Sequence, residues 1–216
     1  MSTWWAGDSL QTWTKCASPQ YMRANALVAA SQYVYAVMVG TSQKVYRTDP
    51  SIDWRTFEPN LPAGSKAALA VDDVSNDVYV SVDNAIHLLR KGTSNWSLRK
   101  DMGNYITCMV KQPDQKGKLF VAMGNVPVHA LDETGDTQTM ALPSVPVSAM
   151  LACNVWHSTV FVSYVDSTTY VTTDDGASWE PLGDHPDSHV RCLAENSVGD
   201  VYGGCAGGEI VYVRKP

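Results

Sequence analysis

Five stretches of this 216-residue chain are variations on one pattern. They read VYAVMVGTSQKVYR from Val34, VYVSVDNAIHLLR from Val78, LFVAMGNVPVHALD from Leu119, VFVSYVDSTTYVTT from Val160 and VYGGCAGGEIVYVR from Val201. An aromatic residue marks the second place of each: Tyr35, Tyr79, Phe120, Phe161 and Tyr202, separated by 44, 41, 41 and 41 residues. Such a fixed spacing is the sign of a unit that cannot bury its own apolar face and must be stacked on copies of itself. Inside each copy two alternating runs flank a short turn rich in Gly, Asn, Asp or Ser, the pattern of an antiparallel hairpin.

A run of small apolar residues precedes each hairpin: NALVAA, AALAV, ITCMV, SAMLAC and VRCLAE. Small side chains suit strands crowded around an axis. A fourth run follows the first four hairpins: WRTFEPNL, WSLRKDM, TQTMALP and WEPLGD. No segment sustains a 3.6-residue period. The prediction is one all-β domain, a five-bladed β-propeller with four-stranded blades of about 42 residues. The last copy ends at GEIVYVRKP without a fourth run, whereas QTWTKCAS near the start has the right pattern. The N-terminal strand is therefore expected to complete the last blade, a three-plus-one closure that shields sheet edges. On this reading residues 1–20 give the outer strand of the closing blade, and the blades span 21–61, 62–103, 104–144, 145–185 and 186–216.

Composition narrows the function. Sixteen Lys and Arg stand against 22 Asp and Glu, a net charge of −6, which argues against a partner built on a phosphate backbone. No apolar stretch approaches the roughly 20 residues of a membrane helix, and MSTWWAGDSL lacks the basic start and apolar run of a secretory leader. The five cysteines, Cys16, Cys108, Cys153, Cys192 and Cys205, are odd in number and form no CxxC pair. They read as packing residues of a cytoplasmic protein rather than a disulfide framework or zinc ribbon.

Around Thr172 the chain reads TTDDGASWEPL. Thr172, Asp174, Gly176 and Trp179 fill the pattern S/T-x-D-x-G-x-x-W, and the chain resembles the Asp-box, or bacterial neuraminidase repeat, propellers. Partial copies place Asp49 five residues before Trp54 and Asp8 five before Trp13; Lys91 replaces the Asp before Trp96, and LDETGDTQT lacks the Trp. Asp174 is expected to accept backbone N–H groups of the turn, Gly176 to take a positive φ and Trp179 to pack into the blade. In that superfamily, which includes sialidases, other glycosidases, lectins, sorting receptors and assembly factors, the box is structural and lies away from the active site. The chain is also similar in size to compact five-bladed propeller lectins.

A sialidase-like site, as the resemblance would imply, needs three convergent arginines, a Tyr nucleophile with a Glu partner, and an acidic Asp. Only Arg23 and Arg191 lie near first strands, so no triad forms, and no catalytic residue or cofactor is expected. His185, Asp187 and His189 make the densest polar cluster, read as a solvated loop rather than a metal site because a third or fourth ligand is missing. His87 and His129 hold equivalent places on third strands and read as packing residues. The second–third turns carry Gln43, Asn84, Asn125 and Asp166, and nearby aromatics such as Tyr105 could add stacking. These residues are ordinary turn formers, yet together with His185, Asp187 and His189 they could hydrogen-bond a ligand. The expectation is a monomeric, non-catalytic binding propeller that engages a protein or other ligand on the second–third-turn face. A multivalent glycan-binding lectin is the alternative, and a small glycoside hydrolase turning on Glu195 or Asp166 comes third.

Overall fold

The computed structural model describes residues 4–6, 13–15, 23–30, 33–39, 44–48, 55–56, 61–62, 64, 68–113, 117–182 and 188–213. Strands and turns make up these residues, with no helix among them. The chain divides into two compact units, Met1–Asp101 and Met102–Pro216.

The first unit contains β1 (Trp4–Ala6), β2 (Trp13–Lys15), β3 (Arg23–Ala29), β4 (Val34–Val39), β5 (Lys44–Thr48), β6 (Arg55–Thr56), β7 (Leu69–Val71), β8 (Val78–Val82), β9 (Ala85–Leu89) and β10 (Ser97–Asp101). Strands β3 to β6 form one four-stranded antiparallel meander and β7 to β10 another. The second unit contains β11 (Ile106–Lys111), β12 (Leu119–Met123), β13 (His129–Leu131), β14 (Thr137–Thr139), β15 (Val147–Ala152), β16 (Val160–Tyr164), β17 (Thr169–Thr172), β18 (Glu180–Pro181), β19 (Val190–Glu195), β20 (Val201–Cys205) and β21 (Ile210–Val213). Here β11–β14 and β15–β18 are four-stranded and β19–β21 three-stranded. Five antiparallel sheets of three or four strands make this an all-β, five-bladed β-propeller.

The described partner of β2 is β1, with Trp5 opposite Thr14, and β21 pairs with β20. The fourth strand expected for the last sheet is thus not among the described pairings.

Second strands carry the core. Every residue of β12 and β16 is buried, because each strand is covered on both faces; this is why they read as continuous apolar runs rather than strict alternation. In the first unit Tyr35, Val37 and Val45 of one sheet pack with Leu69, Val78 and Val80 of the next. In the second, Phe120, Ala122 and Met140 pack with Met150, Val160, Val162 and Tyr164. Of the aromatic markers Tyr35, Phe120 and Phe161 are buried, Tyr79 is half-buried and Tyr202 is exposed. Val201 of the following sheet packs on Phe161; Tyr202 meets Tyr212 across the hairpin, with ring centroids 5.3 Å apart.

Candidate functional site

The two ends of the strands in the second unit differ in chemistry. At one end lies the turn between β17 and β18. Thr172 Oγ1 donates to Asp174 Oδ1 at 2.7 Å, and the backbone N–H of Gly176 donates back to Thr172 Oγ1 at 2.9 Å. Asp174 also accepts from the Ser178 N–H at 2.9 Å and the Ser178 hydroxyl at 2.6 Å. These donors hold the Asp174 carboxyl down at about 2, the Ser178 hydroxyl contributing most. Gly176 has φ +81°, and a Cβ there would meet Met140 Sδ and a Phe120 ring carbon at 3.0 Å. Trp179 meets Phe120 edge-to-face at 6.0 Å.

The turn is thereby pressed against the preceding sheet. Gln112, fully buried, reinforces the contact by donating to Asp175 Oδ1 at 2.9 Å, and Lys118 Nζ donates to the Asp175 carbonyl at 3.0 Å. The Trp179 indole N–H is buried without a hydrogen-bond partner. The sheet before it keeps the same device without the Trp: Asp132 accepts from Thr134 N–H, Thr134 Oγ1 and Asp136 N–H. Trp96, the counterpart in the first unit, packs on that unit's core. Asp8, Asp49 and Trp54 lie outside the described residues.

At the other end each first strand begins with a β-bulge. Pairing skips from Ile106 to Cys108, from Val147 to Ala149 and from Val190 to Cys192, leaving Thr107, Ser148 and Arg191 as the extra residues. In the first unit β3 repeats the skip at Asn25. A bulge kinks its strand and re-aims one side chain. Two of the extra residues heal the disturbed ladder themselves: Thr107 Oγ1 donates to the Ala122 carbonyl at 3.2 Å and Ser148 Oγ to the equivalent Ser163 carbonyl at 3.1 Å. Arg191 is exposed and cannot do this in the same way. The equivalent Gly204 carbonyl receives the Cys192 thiol at 4.0 Å in place of a hydroxyl, and among the described residues no hydrogen bond, ion pair or ring contact engages the guanidinium.

The second–third turns flank these bulges. Two of them are tied to the connection leading into their own sheet: Val165 N–H donates to the Pro146 carbonyl at 3.1 Å, Ala206 N–H to the His189 carbonyl at 3.0 Å, and Ser188 Oγ to Glu209 Oε2 at 2.5 Å. Tyr105 is 51% exposed and Val165 45%. Asn125 is exposed and, among the described residues, unengaged. Asp166 spends Oδ1 on Thr168 N–H and Oγ1, at 3.1 and 2.7 Å.

Of the residues singled out in the sequence, Tyr105, Asn125, Asp166 and His189 therefore sit at the turn-and-bulge end of neighbouring sheets in the second unit. Asn84 belongs to the first unit and donates to Asp101 Oδ1 at 2.8 Å. Gln43, His185 and Asp187 lie outside the described residues. Sequence reasoning missed Thr107, Ser148 and Arg191. The available signal was the polar residue near the head of each small apolar run.

Several groups that could do acid–base chemistry are engaged or buried elsewhere. Glu195, at the far end of β19, accepts from the Asn154 N–H at 2.5 Å and the Val155 N–H at 3.2 Å. Burial, with Glu195 nearby, pushes the Cys153 thiol up to about 12, and burial pushes Cys108 up to about 11. Tyr164 is fully buried and its hydroxyl has no hydrogen-bond partner; desolvation raises its pKa and keeps it neutral. His87 and His129 are lowered by burial, as suits packing residues. Arg47 lies 4.6 Å over the Tyr33 ring. Among the described residues no group of three or more His, Cys, Asp or Glu could hold a metal, and no helix is long and apolar enough to cross a membrane.

No family model matches the chain, and no curated protein matches its sequence. Solved structures do. YCF48 bound to D1 peptide superposes over 100% of this chain and 75% of its own, at 13% identity and TM-score 0.72. Streptogramin B lyase covers 100% of this chain and 76% of its own, at 10% identity and TM-score 0.73. The nidogen/laminin complex covers 93% and 79%, at 9% identity and TM-score 0.70. At such identities the likeness is one of fold, and a β-propeller fold is what these chains share with this one.

Proposed function

We propose that this protein is a non-catalytic binding propeller that engages a protein or peptide segment through the turn-and-bulge end of its second unit. One observation carries the reading. At the Asp174 end the polar groups are spent on one another, whereas at the bulge end Asn125 and Arg191 remain unengaged among the described residues, beside exposed Tyr105 and Val165. A surface that leaves hydrogen-bonding groups and apolar area facing solvent together has the composition of a recognition site. Two of the fold neighbours are complexes by name, YCF48 with D1 peptide and nidogen with laminin, which accords with this use of the fold. Fold alone does not fix function, and the lyase among the neighbours is a reminder of that.

We read the Thr172–Trp179 turn as an Asp-box with a structural role, and the chain as a monomer working in a reducing compartment, given that Cys108, Cys153, Cys192 and Cys205 are all free thiols. The test is affinity capture with the purified chain, followed by cross-link mapping. Cross-links at residues 104–105, 125, 165–168 and 206–209 support the reading, and cross-links confined to the Asp174 end defeat it. Binding to a glycan array without a protein partner would instead establish the lectin. Turnover of a chromogenic glycoside, lost in Glu195→Gln, would establish the hydrolase.

A further inference from the structure

The three bulges of the second unit share a backbone device but differ in side chain. Thr107 and Ser148 turn their hydroxyls inward to the Ala122 and Ser163 carbonyls. Arg191 stands in the same place with a group too long, and too costly to desolvate, for that task. The consequence is a cation held out from a bent stretch of strand, with no carboxylate partner among the described residues.

Three acids of this unit are already engaged: Asp166 by Thr168, Glu209 by Ser188, and Glu195 by two backbone N–H groups at the far end of the same strand. An arginine without a partner among the described residues of a protein of net charge −6 is conspicuous, because acids are in excess and a counter-charge would be easy to supply.

We propose that Arg191 anchors a carboxylate subsite, and that the ligand of this end is a peptide segment presenting a carboxylate, either an acidic side chain or a chain terminus. The inference rests on the binding reading above and sharpens it from any protein to a carboxylate-bearing peptide. Charge complementarity selects this ligand: guanidinium and carboxylate match as a two-toothed fork. Asn125 and Tyr105 then supply hydrogen bonding and apolar contact for the flanking residues.

The experiment uses the full chain and an array of octapeptides, each made with a free C-terminus, as the C-terminal amide, and with Asp and Glu changed to Asn and Gln. Affinities of the hits are measured in solution for the wild type, Arg191→Gln and Arg191→Lys, with melting temperatures as folding controls. The expected result is that hits lose about tenfold or more in affinity either on neutralising one carboxylate or in Arg191→Gln, and that the two losses do not add. Arg191→Lys falls between, since it keeps the charge but not the fork. Loss on amidation identifies a chain terminus; loss on Asp or Glu replacement identifies a side chain. Hits indifferent to both changes, within about twofold, would overturn the carboxylate subsite and leave the binding reading standing. Peptide binding that survives Tyr105→Ala and Asn125→Ala together but is lost in Arg191→Gln would overturn the flanking role of those two residues and keep the subsite. An array without any hit overturns the peptide ligand.

Discussion

The turn around Asp174 and the bulge around Arg191 stand at opposite ends of the same unit and treat polar groups in opposite ways. At Asp174 four donors converge on one carboxylate and one threonine, and a tryptophan and a glycine seat the turn on the next sheet. At Arg191 a charge is presented and left unmated among the described residues. Satisfied networks rigidify a fold, while unsatisfied groups at a surface are available to a partner. The contrast teaches that a motif's regularity and its function are separate matters. The residues that name a repeat are those that had to agree with one another, and those free to differ between copies are where binding can reside.

The largest effect that would break this contrast lies at Trp179. Trp179→Ala should cost about 3 kcal/mol in chemical denaturation, because the ring fills the gap beside Phe120; a loss under about 1 kcal/mol would mean that the turn is not seated by its tryptophan. Next in size, Gly176→Ala should cost about 2 kcal/mol, from a positive φ and from contact with Met140 and Phe120. A neutral outcome would show that the turn shifts freely. Asp174 sharpens the comparison through pH. Its folded-state value, about 2, lies below the ordinary 3.8, so its stabilising contribution is present above the higher value and is lost as pH falls through the lower. Acid unfolding between these values should be shallower in Asp174→Asn, and an unchanged acid limb would contradict the bonding seen here. The smallest expected effect is at the other end: Arg191→Gln should move stability by no more than about 0.5 kcal/mol, and a larger loss would make Arg191 a structural residue after all. Thiol labelling supplies a parallel check, since Cys192 is exposed while Cys108 and Cys153 are driven up by burial. Under native conditions iodoacetamide should modify Cys192 well before those two, and an inverted order would contradict the packing of the first strands.

The repeat made the sheets legible in the sequence because each hairpin must bury the same face: Tyr35, Phe120 and Phe161 mark positions that are fully buried. The Asp174 turn was legible for a similar reason, since its donors, its glycine and its tryptophan are all local in sequence. The bulges were not. An extra residue in one strand of a pair leaves the period-two pattern intact on either side and shifts only the register, which a single strand does not reveal. Tyr202 differs: its local pattern matches the other copies, yet it is exposed, because burial is decided by what packs on a strand and not by the strand's own sequence. Amide and acid turn residues such as Asn84 and Asp166 were correctly placed in turns, yet their side chains are spent on Asp101 and Thr168, a distinction that composition cannot draw.

The ties of two second–third turns to their inbound connections, Val165 to Pro146 and Ala206 to His189, join those loops in pairs. A guest landing there would find walls already standing, so little ordering entropy is charged against its capture. Docking should resemble a key entering a finished lock, quick to form and with only slight backbone adjustment on arrival.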